Sequence, residues 1–243
     1  MIRAFLATKP GQALIRKGVE LGGRDRRALR HYLRDHPVAG LQIGAGGHLL
    51  DGWLNTNFYP IPVRNPGTLF LDATKRFPIA DGVFDYVFSE HMIEHVSHAG
   101  GQNMLRECFR VLKPGGRIRL STPDMAFLTG LLAEEPSPLQ AAYLAWASAE
   151  FLHDGRPHTA LSVVDHFLRG FGHVFIYDRA TLERSLAAAG FAEITAWRVN
   201  ESGDPMLRSL EHADRFPEGF LQLETMTCEA VKPRRSASAH HQA

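Results

Sequence analysis

The densest group of chemically reactive side chains lies in the stretch from Ser89 to His95. His91, Glu94 and His95 have the spacing His-x-x-Glu-His, in which two histidines four positions apart share a helix face and bind zinc. The apolar run before Ser89 instead predicts a strand, so residues from Ser89 onward form the loop that follows it. No acidic residue downstream stands out in the sequence as a third zinc ligand. We therefore expect no metal here, and we expect Glu90 and His91 to line a binding pocket.

Two further candidates for proton transfer, His173 and Tyr177, precede a helix that begins after Asp178. An imidazole or a phenol within hydrogen-bond reach of a substrate can take the proton lost by an attacking amine, hydroxyl or carbon acid. The alternative is that the Tyr177 ring packs in the core while its hydroxyl stays in contact with solvent. Tyr177, His91 and His173 are therefore the catalytic candidates, with the packing role of Tyr177 left open.

A glycine-rich loop, Gly44-Ala45-Gly46-Gly47, follows the first predicted strand. Glycines without a Cβ let the backbone approach a ligand closely. A dinucleotide-binding loop would have a third glycine at position 49, which is Leu49, so a pyrophosphate ligand loses support. The loop favours a ligand that has no phosphates.

Short apolar runs alternate with segments of helical period from residue 38 onward, which is typical of a parallel sheet with helices on both faces. The sequence predicts a Rossmann-like α/β fold with a mostly parallel sheet and an antiparallel last strand. The seven predicted strands are 38–43, 53–58, 68–71, 84–88, 117–121, 191–199 and 220–231.

Helical spacing predicts a helix over 102–112, which the Lys-Pro-Gly-Gly run at 113–116 ends. Residues 125–172 carry helical patterns that prolines interrupt, so we expect a helical lid inserted after the fifth strand. Asp178 is the expected N-cap of a helix over 179–189 that ends at Gly190. The predicted domains are a helical arm at 1–37, a single domain at 38–232 and a disordered tail at 233–243.

The composition is that of a globular protein, with 243 residues, 44% hydrophobic and 22% charged. A net charge of +1 gives no global field for a nucleic acid or an acidic membrane, and the basic arm lacks interleaved aromatic residues. No apolar run is long enough for a signal peptide or a membrane span. With only two cysteines, we expect a reduced, cytoplasmic protein that binds neither nucleic acid nor membrane.

Five segments in one order resemble the class I S-adenosylmethionine-dependent methyltransferases, in a bacterial branch of predicted small-molecule enzymes. The segments are 44–46, 52–57, 72–73, 84–91 and 110–117. Two further segments of that branch, 172–178 and 201–205, stand in the C-terminal third. The resemblance covers residues 38–232 and implies S-adenosylmethionine as the cofactor.

The resemblance also implies which residues contact the cofactor. The glycine loop faces its methionine part, Asn57 meets the ribose hydroxyls, and Asp72 accepts a hydrogen bond from the adenine amino group. The full set implied is Gln42, Gly44, Ala45, Gly46, Asn57, Asp72, Ala73, Ser89 and Glu90. Many members of the class carry an acid where Gln42 and Asn57 stand, and an amide forms weaker, uncharged hydrogen bonds to a ribose diol.

Three functions follow from the sequence. The first is methyl transfer to a small molecule in sugar or secondary-metabolite biosynthesis. The second is a lyase in which the cofactor's amino group attacks its own γ-carbon, closing an azetidine ring and releasing methylthioadenosine. The third is a module that binds the cofactor without turnover, which the two amides support. The amphipathic basic arm makes a homodimer the expected assembly.

Overall fold

The computed structural model describes residues 23–58 and 68–234, which build a seven-stranded sheet in the order β3-β2-β1-β4-β5-β7-β6. β1 to β5 are parallel, whereas β7 is antiparallel to both β5 and β6. The predicted Rossmann-like fold is confirmed. The strands are β1 (Gly40–Ile43), β2 (Trp53–Asn57), β3 (Thr68–Phe70), β4 (Phe84–Glu90), β5 (Leu112–Pro123), β6 (Ala192–Trp197) and β7 (Thr225–Val231).

The strand order reverses between β1 and β4, and this reversal positions the binding site. From β1 the chain adds β2 and β3 on one side of the sheet, and then β4 and β5 on the other. In open α/β sheets, the crevice beyond the carboxyl ends of the strands at such a point is where ligands bind. The glycine loop follows β1 directly, so it lies at this crevice.

Helices cover the sheet and form the predicted insertion after β5. The described helices are α1 (Arg24–Asp35), α2 (His98–Val111), α3 (Met125–Gly130), α4 (Pro138–Phe151), α5 (Ala160–Arg169), α6 (Arg179–Ala188) and α7 (Phe220–Glu224). α2 begins four residues earlier than predicted, because Ser97 accepts a hydrogen bond from the Gly100 amide and caps the helix there. Asp178 caps α6 as expected, by accepting from the Thr181 amide.

Three separate hydrophobic clusters lie among the described residues, and the smallest packs Trp53 and Phe88 against Leu207 and Leu210. The other two hold the sheet and the insertion. The larger cluster joins the sheet to α1, α2 and α6, with Met104, Leu105 and Leu182 fully buried. The smaller cluster, here called the insertion cluster, joins α3, α4 and α5 to α7 through residues such as Phe127, Tyr143 and Phe220. The insertion therefore packs on itself and on α7 rather than adding to the core of the sheet.

Two predicted strands begin more than two residues away from their observed first residue. Residues 220–224 form helix α7 and only Thr225–Val231 form the strand, so the prediction of a strand over 220–231 was wrong in its first half. Gly219, at φ 82°, begins the helix in a left-handed conformation that glycine adopts without strain. β5 begins at Leu112 rather than at 117, with a shift of register where residues 113–116 bulge out.

A buried cation joins β5 to β7 and to the loop after β6. Arg119 is fully buried, and its guanidinium binds Glu211 at 2.7 and 3.0 Å and Glu229 at 2.6 Å. It also donates to the backbone carbonyls of Arg198 and Glu201. The loop after β6 is therefore held against the sheet by a paired and fully hydrogen-bonded charge cluster.

Parts of the predicted domain division lie outside the described residues. These parts are residues 1–22 of the arm and 235–243 of the tail, while α1 occupies most of the remaining arm. The division into arm, domain and tail stays a prediction. Within 23–58 and 68–234, no helix combines the length and the apolar character needed to span a membrane.

Candidate active site

A cavity of about 620 Å³ opens beyond the carboxyl ends of β1 to β4. This volume is within the usual range of small-molecule sites, about 300–1,000 Å³. The cavity is lined by Ile43, Gly44, Gly46, Asn57, Phe58, Leu71, Asp72, Ala73, Thr74, His91, Met92, His95, Val96, Phe171 and Gly172. Six of the predicted site residues are among these, so the structure brings together parts of the chain that are distant in sequence.

The glycine loop needs its glycines at two positions. Gly44 and Gly46 have φ values of 73° and 55°, which side-chain-bearing residues rarely adopt. A Cβ on Gly44 would overlap Met92, whose Cγ and Cβ lie directly over it. Ala45 does not line the cavity: it is buried, and its amide donates to the Thr56 carbonyl at 2.9 Å. The loop therefore presents bare backbone to the cavity.

The two amides that depart from the class pattern both hold the glycine loop. Asn57 accepts from the Gly46 amide at 2.7 Å and donates to the Gly46 carbonyl at 3.1 Å. Gln42 donates to the His48 carbonyl at 2.9 Å and accepts from the Leu50 amide at 3.3 Å. An ionised acid has only acceptors and cannot make both bonds of either pair. The need to pair both an amide and a carbonyl group of the loop's backbone therefore explains why positions 42 and 57 carry amides.

Asp72 and Ala73 follow β3 at the opposite side of the cavity from the insertion. Asp72 Oδ1 accepts from the amide and the hydroxyl of Thr74, at 3.1 and 2.6 Å, and Oδ2 lies 3.5 Å from Lys75 Nζ. These bonds fix the carboxylate on the cavity wall. The adenine contact that the resemblance implies for Asp72 stays a prediction.

Ser89 and Glu90 are not among the cavity-lining residues. Ser89 is buried and donates to the Ile43 carbonyl at 3.0 Å, which ties β4 to β1. Glu90 accepts from the His212 amide and lies 3.3 Å from Arg215, while burial raises the pKa of the Glu90 carboxyl. Both residues support the strand ends behind the cavity instead of lining it.

His91 joins the cavity to a buried polar network. Its backbone is left-handed, at φ 46°, and its amide donates to the Ser121 carbonyl at 2.8 Å. Its Nε2 lies 2.8 Å from Thr225 Oγ1 and 3.8 Å from Glu224, and its Nδ1 lies 3.5 Å from Glu94. Burial lowers the pKa of His91 well below its usual value, which keeps the ring neutral at neutral pH.

The carboxyl groups around His91 continue this network into the insertion. Burial raises the pKa of Glu94 to about 8 and that of Glu224 to about 7. The Thr122 hydroxyl donates to Glu94 at 3.0 Å, and the Tyr143 hydroxyl on α4 donates to Glu224 at 2.9 Å. The sequence pattern marked Glu94 but gave no signal for Glu224 or Tyr143, because only the fold brings them near His91.

His173 and Tyr177 lie close to the site without lining the cavity. His173 is half-buried, its Nδ1 lies 2.6 Å from the Phe167 carbonyl, and burial lowers its pKa to about 4. Tyr177 is fully buried, and burial raises its pKa to about 12. Its hydroxyl has no hydrogen-bond partner within the described part of the chain and faces Gly101 on α2. This placement favours the packing role left open for Tyr177.

Replacing Tyr177 by phenylalanine is expected to leave turnover unchanged and to raise thermal stability. Removing a buried hydroxyl that lacks a partner relieves a desolvation cost of about 1–3 kcal/mol. At this chain length each kcal/mol corresponds to about 2–4 °C in melting temperature. Calorimetry and a turnover assay check both expectations, and a variant that folds well but turns over slowly would restore Tyr177 as a proton acceptor.

The comparisons with known proteins agree with this geometry. Residues 63–120 match the family model described as a methyltransferase domain. An S-adenosylmethionine-dependent methyltransferase from Archaeoglobus fulgidus is 15% identical, with 86% of this chain and 94% of that chain covered and a TM-score of 0.50. One from Thermotoga maritima is 16% identical, with 96% and 100% covered and a TM-score of 0.48. No curated protein sequence matches this chain.

The domain match covers only residues 63–120, so it shows a similarity to a methyltransferase domain over part of the chain. The strand order, the glycine loop after β1 and the domain match over 63–120 confirm the resemblance to the class I S-adenosylmethionine-dependent methyltransferases. At 15% identity the structural likeness establishes the fold.

Proposed function

We propose that this protein catalyses S-adenosylmethionine-dependent methyl transfer to a small-molecule acceptor, in sugar or secondary-metabolite biosynthesis. The observation that carries the proposal is the cavity at the switch point of the sheet, where the glycine loop, Asp72 and His91 meet. The methyltransferase domain match supports it as well, because residues 63–120 include Asp72, Ala73 and His91.

The residues around the cavity fit the cofactor in its expected orientation. S-adenosylmethionine, when bound, supplies a methyl group that its sulfonium already activates, so the protein mainly has to align the acceptor and exclude water. Gly44 and Gly46 offer backbone to the methionine part, and Asp72 accepts from the adenine amino group. Asn57 acts by holding Gly46 in place, in addition to any contact with the ribose.

The acceptor is proposed to enter beside His91 and the end of the insertion. Phe171 and Gly172 close this side of the cavity, and the Phe171 ring is 38% exposed. His91 is proposed as the group that takes the acceptor's proton, because it lines the cavity and burial keeps its ring in the neutral form that can accept a proton. Glu224 and Thr225 are proposed to position its ring.

The decisive experiment incubates the pure protein with S-adenosylmethionine, first alone and then with a bacterial metabolite extract. Mass spectrometry then identifies the adenosine product, with heat-inactivated protein as the control for spontaneous breakdown. S-adenosylhomocysteine that forms only with the extract supports methyl transfer. Methylthioadenosine formed without an acceptor would establish the cyclising lyase instead, and binding without any product would establish the binding module.

Replacing Asn57 by aspartate is expected to weaken cofactor binding, although many members of the class carry an acid there. The carboxylate would lose the bond to the Gly46 carbonyl and would face that oxygen at about the present 3.1 Å. Leaving such a group unpaired costs about 1–3 kcal/mol, so affinity is expected to fall about tenfold. Calorimetric titration with S-adenosylhomocysteine measures the change. Tighter binding would show that position 57 serves the ribose directly.

The cellular setting is also a proposal. Cys108 and Cys228 are both buried and unpaired, which supports a reduced, cytoplasmic protein. The absence of nucleic-acid binding and the homodimer stay predictions from the charge distribution and the basic arm. Size-exclusion chromatography with light scattering tests the dimer.

A further inference from the structure

Glu94, His95 and His173 converge beside the cavity. One ligand atom from each, a carboxylate oxygen or a ring nitrogen, lies within 4.8 Å of the other two. We propose that these three residues bind a divalent transition-metal ion, with zinc as the best match. Zinc takes histidine nitrogens and carboxylate oxygens at about 2.0–2.2 Å, so the three side chains would have to draw closer together around the ion.

Both imidazole rings have a carbonyl oxygen beside Nδ1, which leaves Nε2 available to a metal ion. His95 Nδ1 lies 3.3 Å from the Gly172 carbonyl, and His173 Nδ1 lies 2.6 Å from the Phe167 carbonyl. A carbonyl oxygen only accepts hydrogen bonds, so the proton of each neutral ring is on Nδ1 and the lone pair is on Nε2. Metal-binding histidines usually donate their second ring nitrogen to a carbonyl or carboxylate in this way.

Glu94 provides an independent indication of a missing cation. Its side chain is completely buried, and its Oε2 accepts from the Thr122 hydroxyl. Its Oε1 has no hydrogen-bond partner among residues 23–58 and 68–234, and Nδ1 of the neutral His91 ring lies 3.5 Å from it. A buried carboxylate oxygen without a donor is costly, and a bound cation would satisfy it.

Backbone hydrogen bonds hold the three residues together before any ion binds. The Glu94 carbonyl accepts from the amides of Val174 and Phe175, at 2.7 and 3.1 Å. These bonds fix the end of the insertion against the turn that follows β4, and His173 comes directly before them. The site is therefore preorganised, so little conformational entropy is lost on metal binding.

The ligand set differs from the one that the sequence spacing indicates. His-x-x-Glu-His would place His91 and His95 on one helix face, but residues Ile93–His95 form only a single 3-10 turn. His91 lies before that turn in a left-handed conformation, and its ring reaches Thr225. His173, directly after the insertion, takes its place, which the sequence could not indicate.

The site would also narrow the class of acceptor, an extension that rests on the proposed function. Three protein ligands leave a fourth position open, as in catalytic zinc sites. His95 itself lines the cavity, so an ion held there is accessible from it. The acceptors that fit are therefore molecules with a hydroxyl, thiol or carboxylate that can bind the ion at this open position.

The test is a titration of the chelator-treated full-length protein with Zn²⁺, by calorimetry and by competition with a chromophoric chelator. We expect one ion per chain, a drop of at least about 100-fold in affinity for His95→Ala and for His173→Ala, and no change for the exposed control His158→Ala. Co²⁺ substitution is expected to give the visible absorption of a four-coordinate ion. His95 and His173 are not fully buried, so both variants are expected to fold, which thermal melting verifies.

Two outcomes would overturn the metal site: no zinc binding in the micromolar range, or binding that survives both histidine variants. Binding of S-adenosylhomocysteine, measured on the metal-free and zinc-loaded protein, separates this inference from the proposed function. Cofactor binding without zinc binding rejects only the metal site. Zinc binding without cofactor binding leaves the metal site and rejects methyl transfer.

Discussion

Replacing Gly44 by valine is expected to abolish S-adenosylmethionine binding, with a loss of affinity of at least about 100-fold, or about 2.7 kcal/mol. Two effects add up. A branched residue at φ 73° is strained by about 1–2 kcal/mol or more, and its Cβ would overlap Met92, which also lines the cavity. Titration calorimetry with S-adenosylmethionine and with S-adenosylhomocysteine measures the loss.

The matched control is Gly52→Val. Gly52 has a nearly identical φ of 75°, no heavy atom within 4 Å of its Cβ position, and no place in the cavity lining. This variant carries the backbone strain without the collision, so it is expected to lose stability and to keep its affinity. Unchanged affinity in Gly44→Val would remove the glycine loop from the cofactor site. An equal loss in both variants would assign the effect to strain.

Replacing Arg119 by methionine is expected to destabilise the fold by about 3–5 kcal/mol, because it leaves the buried carboxylates of Glu211 and Glu229 without their cation. The backbone carbonyls of Arg198 and Glu201 lose their donor as well. Urea or thermal unfolding followed by circular dichroism measures the change. We expect aggregation or partial unfolding if the wild-type protein is only marginally stable.

Arg117→Met on the same strand is the control. The Arg117 side chain is 41% exposed and lies 3.4 Å from Asp204, so its removal is expected to cost less than about 1 kcal/mol. If Arg119→Met and Arg117→Met lose similar stability, burial of the Arg119 charge is not the cause of the destabilisation. If Arg119→Met is as stable as the wild type, the two carboxylates must take up protons without cost, contrary to the proposed role of the cluster.

The fold was predictable because local pattern and global structure agree over most of the chain. Apolar runs bounded by turn residues gave the first four strands to within two residues, and Asp178 began its helix as expected. The stretch at 220–224 failed because a short apolar run suits a strand or a buried helix equally well. The packing of Phe220 into the insertion cluster favours the helix over the strand at these residues.

The site was predictable where the residues follow strand ends, and not where they meet through tertiary contacts. Gly44, Asp72 and His91 each stand directly beyond a strand, so the carboxyl edge of the sheet collects them. The amides of Gln42 and Asn57 were assigned to the ligand, but their partners are the loop's own backbone. Their bonding depends on the loop's conformation, which the sequence does not reveal.

The separate insertion cluster divides the stability of the molecule into two parts. The core of the sheet includes no residue of α3, α4 or α5, so we expect these helices to open at a local unfolding free energy smaller than the global one. The Tyr143–Glu224 bond and the contacts of Phe220 set that cost. The stability of the insertion is thus adjustable by mutations that leave the sheet untouched.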